Sequence, residues 1–322
     1  MTKPILTLAA LLALTAPAAA QEEPQGAPSP NEIVAQAEPD EWVAIAAEDL
    51  VVMTLAPDAE GKERKVVIQL MPAPFSQGWV ENIRTLARAK WYDGISVNRV
   101  QDNYVVQWGD LNYDNPEAEG EPKLLPEGLR VMDESEYVQA IRSDDLLART
   151  RYPDPYSGWS ALIGGWPMGA LQETVHSNQY RAWPTHCYGM VGVGRNYSPD
   201  TGSGAELYTV IGHAPRHLDR NIALVGRIVE GMEHLSSLPR GTGDLGFYSA
   251  QEADKRTPIL TVRVASDLAE AERPAFEYLS TDGETFARYA DARANRRDPF
   301  FIVPAGGADI CNIPVPVRRT GQ

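Results

Sequence analysis

Residues 91–110 read Trp-Tyr-Asp-Gly-Ile-Ser-Val-Asn-Arg-Val-Gln-Asp-Asn-Tyr-Val-Val-Gln-Trp-Gly-Asp. Residues 92–94 predict a turn, because Asp and Gly favour the backbone angles that turns require. Residues 95–100 and 104–108 are short runs rich in β-branched and aromatic side chains, so they predict two strands. The short polar stretch at residues 101–103 then connects the strands as a hairpin.

Strand-like runs also occur on both sides of this stretch. They lie at residues 49–55, 65–71, 189–194, 205–211, 222–229 and 259–264. Apolar residues at helical spacing predict a helix at 79–87, a helical stretch at 135–150, a helical turn at 230–238 and a charged helix at 278–297. Thr281 and Glu284 fit a capping box that begins the last helix. Many short strands, with the modest helices at 79–87 and 230–238 near opposite ends of the strand set, indicate a mainly β fold. The expected form is a barrel whose open ends are plugged by these two helices.

Three blocks of the sequence resemble cyclophilin-type peptidyl-prolyl cis/trans isomerases, and they come in that family's order. Residues 91–110 are similar to its Tyr-(Asp/Asn)-Gly, Phe-His-Arg-Val and Phe-Met-x-Gln-Gly-Gly-Asp segments. Residues 189–195 resemble the strand that lines the proline pocket, and residues 204–208 resemble Gly-Ser-Gln-Phe-Phe. Residues 218–219 and 225–232 resemble Leu-Asp-Gly and Phe-Gly-x-Val-x-x-Gly-Met.

The resemblance implies a domain organisation. A cyclophilin-like closed antiparallel β-barrel, capped by two helices, is expected over residues 42–265. Residues 111–185 are expected to form a large insertion in this domain, and residues 266–322 a helical C-terminal extension.

The resemblance also implies a reaction and a site. Rotation about an X–Pro bond removes partial double-bond character, against a barrier of roughly 18–20 kcal/mol. No bond breaks, so we expect neither a nucleophile, nor a metal, nor a cofactor. Arg99 and Gln107 are implied as catalytic residues, since a fixed guanidinium can stabilise the twisted amide selectively. The implied substrate-binding residues are Tyr104, Val105, Val193, Gly194, Glu206, Tyr208, His217 and Leu218.

Several pocket positions depart from the family pattern. Asn98 replaces the usual His, Val105 the usual Met, and Tyr208 the usual Phe. Val97, His217 and Ile222 also differ from the family, which has an aromatic residue, Trp and a pocket His at these positions. Glu206 replaces Gln, and its carboxylate could pair with Arg99 and compete with substrate. Taken alone, Arg99 reads as a solvated strand residue, whereas with Gln107 and the later blocks it reads as a pocket residue.

The N-terminal region predicts export. Lys3, an apolar run at residues 5–14 and three alanines ending at Ala20 are typical of a secretory signal peptide. The run is too short to span a bilayer comfortably, which favours cleavage near Ala20 over a retained membrane anchor. Residues 21–41 predict a flexible acidic leader. We therefore expect a periplasmic protein without stable membrane insertion.

The composition of the chain limits the classes of partner that it can bind. The chain has 44 acidic and 29 basic residues, with a net charge of −15. This balance argues against a nucleic-acid surface, which needs clustered Lys and Arg. Proline-containing polypeptides are the expected substrates, and the sequence leaves the oligomeric state open.

The two cysteines, Cys187 and Cys311, predict either a disulfide or two buried thiols, and export favours the disulfide. A metal site formed by His186 and Cys187 with His213 and His217 is disfavoured, because a proline at position 215 breaks the helix that the last two would need.

Two functions remain open at this point. The first is a catalytic isomerase that assists folding of exported proteins. The second is a catalytically weak or inactive cyclophilin-fold module that binds proline-containing segments in the cell envelope.

Overall fold

The structure is a computed structural model, and it describes residues 26–113, 116, 118–175 and 177–320. The predicted signal peptide and the first part of the predicted leader lie outside these residues. Among the residues that are described, none of the helices is both long and apolar enough to cross a bilayer.

The strands, in chain order, are β1 Trp42–Ala44, β2 Leu50–Leu55, β3 Arg64–Leu70, β4 Ser96–Val100, β5 Val105–Gly109, β6 Gln139–Arg142, β7 Trp159–Ile163, β8 Trp166–Gln172, β9 Gln179–Pro184, β10 Met190–Val193, β11 Leu207–Val210, β12 Leu224–Glu230, β13 Ile259–Val264, β14 Phe276–Leu279 and β15 Val317–Arg319. The α-helices are α1 Pro30–Val34, α2 Gln77–Arg88, α3 Ser143–Leu147, α4 Glu233–Ser236 and α5 Glu284–Ala294.

Eight antiparallel strands form a barrel in the order β13-β2-β3-β12-β10-β11-β5-β4. The two edge strands meet where the start of β4 approaches the start of β13. Three backbone hydrogen bonds close this seam: Gly94 N–H to Ile259 O, Ile259 N–H to Ile95 O, and Val97 N–H to Thr257 O. The expectation of a mainly β, barrel-type fold is thereby confirmed.

Period-two alternation sets which side chains fill the barrel. On β5, Val106 and Trp108 belong to the main core, whereas Val105 belongs to a separate apolar cluster outside it. Helix α2 places Trp79 and Ile83 in the same main core. The second expected capping helix is the single turn α4, which buries Leu235.

The helical stretch expected at residues 135–150 is not a continuous helix. Asp133 caps a short 3-10 turn at Glu134–Tyr137, after which the chain extends as β6 before forming the one-turn helix α3. The reason is tertiary: β6 pairs with β9 over its whole length. Cross-strand pairing therefore overrides the local helical spacing.

The region expected as an insertion contains its own four-stranded antiparallel sheet, in the order β6-β9-β8-β7. One buried cation joins this sheet to the barrel. Arg227, on β12, donates to Gln69 Oε1 and to Gly165 O, and its guanidinium lies 4.5 Å from the centre of the Trp166 ring. Burial lowers the pKa of this arginine to about 10.

Residues 266–322, which were expected to form a helical extension, contain strands as well as a helix. The strands β14 and β15 form a three-stranded sheet with β1. Helix α5 begins after Gly283, so the predicted start at Thr281 is too early. Residues 278–279 instead continue β14 beside Trp42, which prevents the helix from extending back to residue 278.

The later part of the expected flexible leader forms helix α1. A reciprocal capping box between Ser29 and Glu32 starts it, and Ile33 is buried against the apolar side chains of α5, including Phe286. The acidic composition did not indicate this contact, because only a few apolar residues supply it: Ile33, with Val34 and Ala37 packed beside it.

Cys187 and Cys311 form a disulfide, with a Cα–Cα distance of 5.1 Å. The bond connects the loop before β10 to the C-terminal extension across 124 residues of sequence.

Candidate active site

Four residues line up across four neighbouring strands of the barrel. Arg99 on β4 pairs in register with Gln107 on β5, Gln107 pairs with Tyr208 on β11, and Tyr208 pairs with Gly192 on β10. A register shift in β4 between Val97 and Arg99 adjusts this alignment. Register partners share a face of a sheet, so the hairpin brings Arg99 and Gln107 side by side.

The Arg99 guanidinium is held on three sides. Its Nε donates to Leu245 O at 2.7 Å, its Nη1 donates to Gln107 Oε1 at 3.1 Å, and its Nη2 donates to Gln101 Oε1. It also lies between two aromatic rings, 5.6 Å from the centre of Tyr104 and 5.5 Å from that of Phe247. These contacts fix both its position and its plane.

Arg99 has no acidic partner in the part of the chain that the structure describes. Its burial lowers the pKa of the guanidinium, an effect that Tyr104 and Tyr208 partly offset. The result is a preorganised cation beside an apolar wall, where its field is stronger than it would be in water.

A pocket of about 190 Å³ opens beside Arg99. The lining residues are Arg99, Tyr104, Val105, Gln107, Gly194, Arg195, Tyr208, Leu218, Ile222, Leu245 and Phe247. Its apolar wall is an outer cluster of Val105, Tyr208 and Val210, against which Tyr104, Leu218 and Ile222 pack. We call this set the outer cluster.

Seven of the predicted site residues therefore meet in one pocket: Arg99, Gln107, Tyr104, Val105, Gly194, Tyr208 and Leu218. Three others lie elsewhere. Val193 is fully buried in the barrel core because it alternates inward on β10. His217 is exposed and stacks on the Tyr104 ring with 6.2 Å between ring centres, so it supports the wall from outside the lining.

Glu206 does not pair with Arg99 in the way that its sequence position suggested. Its carboxylate lies against Gly109, where an added Cβ would come within 1.7 Å of Oε1. Its own Cβ lies 2.8 Å from the position that a Cβ at Gly194 would take. The residue is buried at the end of the pocket strands, and Arg99 is held by other groups.

Asn98, which stands where the family has His, serves the strand pairing. Its Nδ2 donates to Gly109 O at 3.0 Å, and its Oδ1 accepts from the Ser96 hydroxyl at 2.6 Å. The first bond ties β4 to β5 beside Arg99, and the second, within β4, holds the Asn98 side chain in place.

Sequence patterns did not predict Leu245 or Phe247 as pocket residues, and Arg195 was placed only at the end of the stretch that resembles the pocket strand. Leu245 and Phe247 come from a glycine-rich loop far along the chain, where Gly246 adopts a positive φ and a Cβ would lie 2.8 Å from Gln101 Cα. The glycine allows the loop to approach β4 closely. Only this unusual backbone requirement could have drawn attention to it.

The sequence did not indicate a role in the site for His186, because the metal site that it suggested was disfavoured. In the structure its ring is fully buried, with Nδ1 2.9 Å from Asp219 Oδ1 and Nε2 2.8 Å from the Tyr208 hydroxyl. Within the described residues, no group of three or more His, Cys, Asp or Glu side chains is arranged to hold a metal ion.

Comparison with known proteins agrees with this geometry. The family model for "Cyclophilin type peptidyl-prolyl cis-trans isomerase/CLD" matches residues 60–264. No curated protein sequence matches the chain. Among solved structures, the chain is similar to cyclophilin AquaCyp293 from Hirschia baltica, with a TM-score of 0.64 and 22% identity over 86% of this chain and 93% of that one.

A second similar structure is a cyclophilin-type peptidyl-prolyl cis-trans isomerase of Cryptosporidium parvum, solved in the presence of the dipeptide Ala-Pro. It shares 11% identity, with a TM-score of 0.37, over 66% of this chain and 98% of that one. The family assignment depends instead on the family model, whose match covers more than half of this chain. The chain therefore belongs to the family of cyclophilin-type peptidyl-prolyl cis-trans isomerases and is an enzyme of that class.

Proposed function

We propose that Arg99 catalyses isomerisation of X–Pro bonds by donating a hydrogen bond to the imide nitrogen of the twisted amide. The observation that carries this proposal is the environment of Arg99. Its guanidinium borders the pocket, its plane is fixed by Gln107 and the Leu245 carbonyl, and its charge is not neutralised by a described carboxylate.

The chemistry follows from the amide. In the planar amide the nitrogen lone pair is delocalised, whereas rotation returns it to nitrogen. A donor aimed at that nitrogen binds the transition state more tightly than the ground state, which is the requirement for a higher kcat. Preorganisation in a partly dry site strengthens the contact. No covalent bond is made or broken, and no proton is transferred.

Gln107 has two roles in this proposal. Its Oε1 accepts from Arg99, which leaves its Nε2 to donate to the carbonyl of the substrate. The side chain thereby links the catalytic donor to the bound peptide. The outer cluster supplies the apolar surface that receives the proline ring.

We further propose that the substrates are proline-containing segments of exported proteins, in the periplasm. The signal-like first twenty residues support this, and so does the disulfide, since such bonds persist in oxidising compartments. Cell fractionation and N-terminal sequencing of the mature protein test the proposal. A cytoplasmic protein that keeps residues 1–20 contradicts it.

The catalytic proposal is tested by measuring exchange of a short X–Pro peptide with wild type, Arg99→Ala and Arg99→Lys. We expect wild type to accelerate exchange and Arg99→Ala to lower kcat/KM on the order of 100-fold, as for other removed transition-state donors. Arg99→Lys should recover only part of this loss, because it lacks the planar fork. Arg142→Ala is the matched control, since that arginine is exposed and pairs with Asp145.

The outcomes separate the two functions. An active Arg99→Ala variant contradicts the role of the guanidinium. A wild-type protein that binds the peptide without accelerating exchange is instead a binding module for proline-containing segments.

A further inference from the structure

A chain of buried polar groups lies behind the proline pocket. It runs from the Tyr208 hydroxyl to His186 Nε2 at 2.8 Å, and from His186 Nδ1 to Asp219 Oδ1 at 2.9 Å. Arg216 continues it, with Nε 2.7 Å from Asp219 Oδ2 and Nη2 2.8 Å from Asp154 Oδ2. We call these five residues the buried relay. Only its first member, Tyr208, lines the pocket.

The donor and the acceptor of each hydrogen bond at His186 follow from its surroundings. Burial lowers the pKa of the His186 imidazole, and the bond to Asp219 offsets this only in part. A neutral imidazole has one donor and one acceptor nitrogen. Asp219 already accepts from the His186 backbone N–H and from Arg216. Nδ1–H therefore donates to Asp219, and Nε2 accepts the hydrogen of the Tyr208 hydroxyl.

This bond turns the Tyr208 hydroxyl away from the substrate. The ring then presents only its apolar surface to the pocket, beside Val105 and Leu218. A cross-strand glycine makes the space for it, because a Cβ at Gly192 would lie 2.3 Å from the tyrosine Cζ and Oη. Gly192, Tyr208 and His186 thus fit together as one unit.

The far end of the relay belongs to the insertion. Asp154 lies between α3 and β7, and both Asp154 and Arg216 have almost fully buried side chains. Ser157 donates to Asp154 Oδ2 at 2.6 Å, and the Tyr156 ring covers the Arg216 guanidinium at 4.8 Å. The insertion therefore supplies one of the two carboxylates that compensate the buried Arg216 beside the pocket, and Asp219 supplies the other.

We propose that His186 is a positioning residue for the isomerase, which fixes the Tyr208 ring as the floor of the proline pocket, and that Asp154 and Arg216 make this position depend on the insertion. The inference rests on the proposed function of the site. The Tyr208 ring contacts the proline ring in planar and twisted substrate alike. Loss of its fixed position should therefore raise KM while leaving kcat nearly unchanged.

A double-mutant cycle tests the coupling between His186 and Tyr208. We expect His186→Leu and Tyr208→Phe each to raise KM roughly three- to tenfold, the effect of one lost hydrogen bond. Because both remove the same bond, the double variant should show no further rise. His186→Gln keeps an acceptor near Tyr208 and should recover part of the affinity.

Two further measurements keep the outcomes distinct. Asp154→Asn, at the far end of the relay, should raise KM in the wild-type background and not in the Tyr208→Phe background. Dissociation constants for an Ala-Pro-containing peptide, measured by NMR titration, should follow KM in every variant that folds, including His186→Gln if His186→Leu does not fold.

An unchanged KM in the His186 variants, or fully additive effects of His186→Leu and Tyr208→Phe, overturns the inference while the isomerase function stands. If wild type shows no isomerisation, the proposed function fails, and the peptide dissociation constants alone then decide the inference. Coupled losses of affinity support it, and independent losses contradict it.

Discussion

Arg99 and Gln107 face each other across the β4–β5 hairpin, and their side chains are joined by a hydrogen bond of 3.1 Å from Nη1 to Oε1. Register places the two backbones opposite each other, and the bond then orients the guanidinium. A glutamine is suited to this role because its carbonyl holds the cation without neutralising it, and its amide remains for the substrate.

Substitution at Gln107 tests this relationship. Gln107→Leu should lower kcat/KM about fivefold, because Arg99 loses one fixed acceptor. Gln107→Glu should lower kcat/KM further than Gln107→Leu does, since a carboxylate at this distance pairs with the guanidinium and draws its donors from the substrate. Steady-state kinetics on an X–Pro peptide measure both effects. A Gln107→Glu variant more active than Gln107→Leu contradicts this account.

The contact between Gly109 and Glu206 predicts a stability defect that can be repaired. Gly109→Ala places a Cβ within 1.7 Å of Glu206 Oε1, and overpacking of this kind costs about 1–3 kcal/mol. The double variant Gly109→Ala/Glu206→Ala should regain most of that loss, because the carboxylate is gone. Urea unfolding measures both variants against Glu206→Ala alone. The idea fails if the two substitutions destabilise additively.

The disulfide between Cys187 and Cys311 should stabilise the folded protein. It closes a segment of 124 residues, and restricting the unfolded chain in this way is worth about 2–4 kcal/mol. Cys187→Ser/Cys311→Ser should unfold at a correspondingly lower urea concentration than the oxidised wild type. Reduced wild type is the control and should resemble the double variant. Equal stability of the oxidised and reduced forms contradicts the prediction.

The free energy of unfolding should decrease at acidic pH because His186 is buried. Burial lowers the pKa of this histidine from 6.5, so at a pH between the folded and unfolded values the unfolded chain binds a proton that the folded chain does not. The free energy of unfolding therefore decreases as pH falls below about 6.5, and this contribution is constant above it. Asp219, Tyr208, Arg216 and His217 are the ionisable groups that act on the ring.

Urea unfolding at pH 7.5 and pH 5.5 measures this dependence. His186→Gln should show a weaker loss of stability between the two values than wild type. His213→Gln, at an exposed histidine, should behave like wild type. If wild type and His186→Gln lose the same free energy of unfolding between pH 7.5 and pH 5.5, His186 is not the cause of the dependence.

The centre of the site was implied by the family resemblance of residues 91–110, and the local hairpin explains why its two residues lie together. Arg99 and Gln107 are eight residues apart on a hairpin with a short turn, and the pairing of β4 with β5, including a register shift before Arg99, places them opposite each other. Alternation along β5 sends Val106 inward and Val105 outward. Such contacts depend on few residues, and the polypeptide has little freedom to form them differently.

Local sequence patterns do not predict which distant residues complete the pocket. Phe247 and the Leu245 carbonyl reach Arg99 across about 146 residues of sequence, and His186 reaches Tyr208 from a separate loop. Neither contact produces a periodic pattern in the sequence, because both depend on how loops pack against the folded barrel. The same reason accounts for β6, whose partner strand overrode its helical spacing.

The amino-acid pattern thus indicated the eight strands of the barrel, since each follows from strand-like runs of a few residues, and the resemblance of residues 91–110 to the family implied the pair Arg99–Gln107. Long-range packing specified the rest: the Glu206 carboxylate lies against Gly109, Tyr208 is bonded to His186, and the sheet-bearing region at residues 111–185 is joined to the pocket wall through Asp154. Burial of polar groups explains the difference. A buried donor or acceptor must find a partner wherever the fold offers one, and that partner can come from any part of the chain.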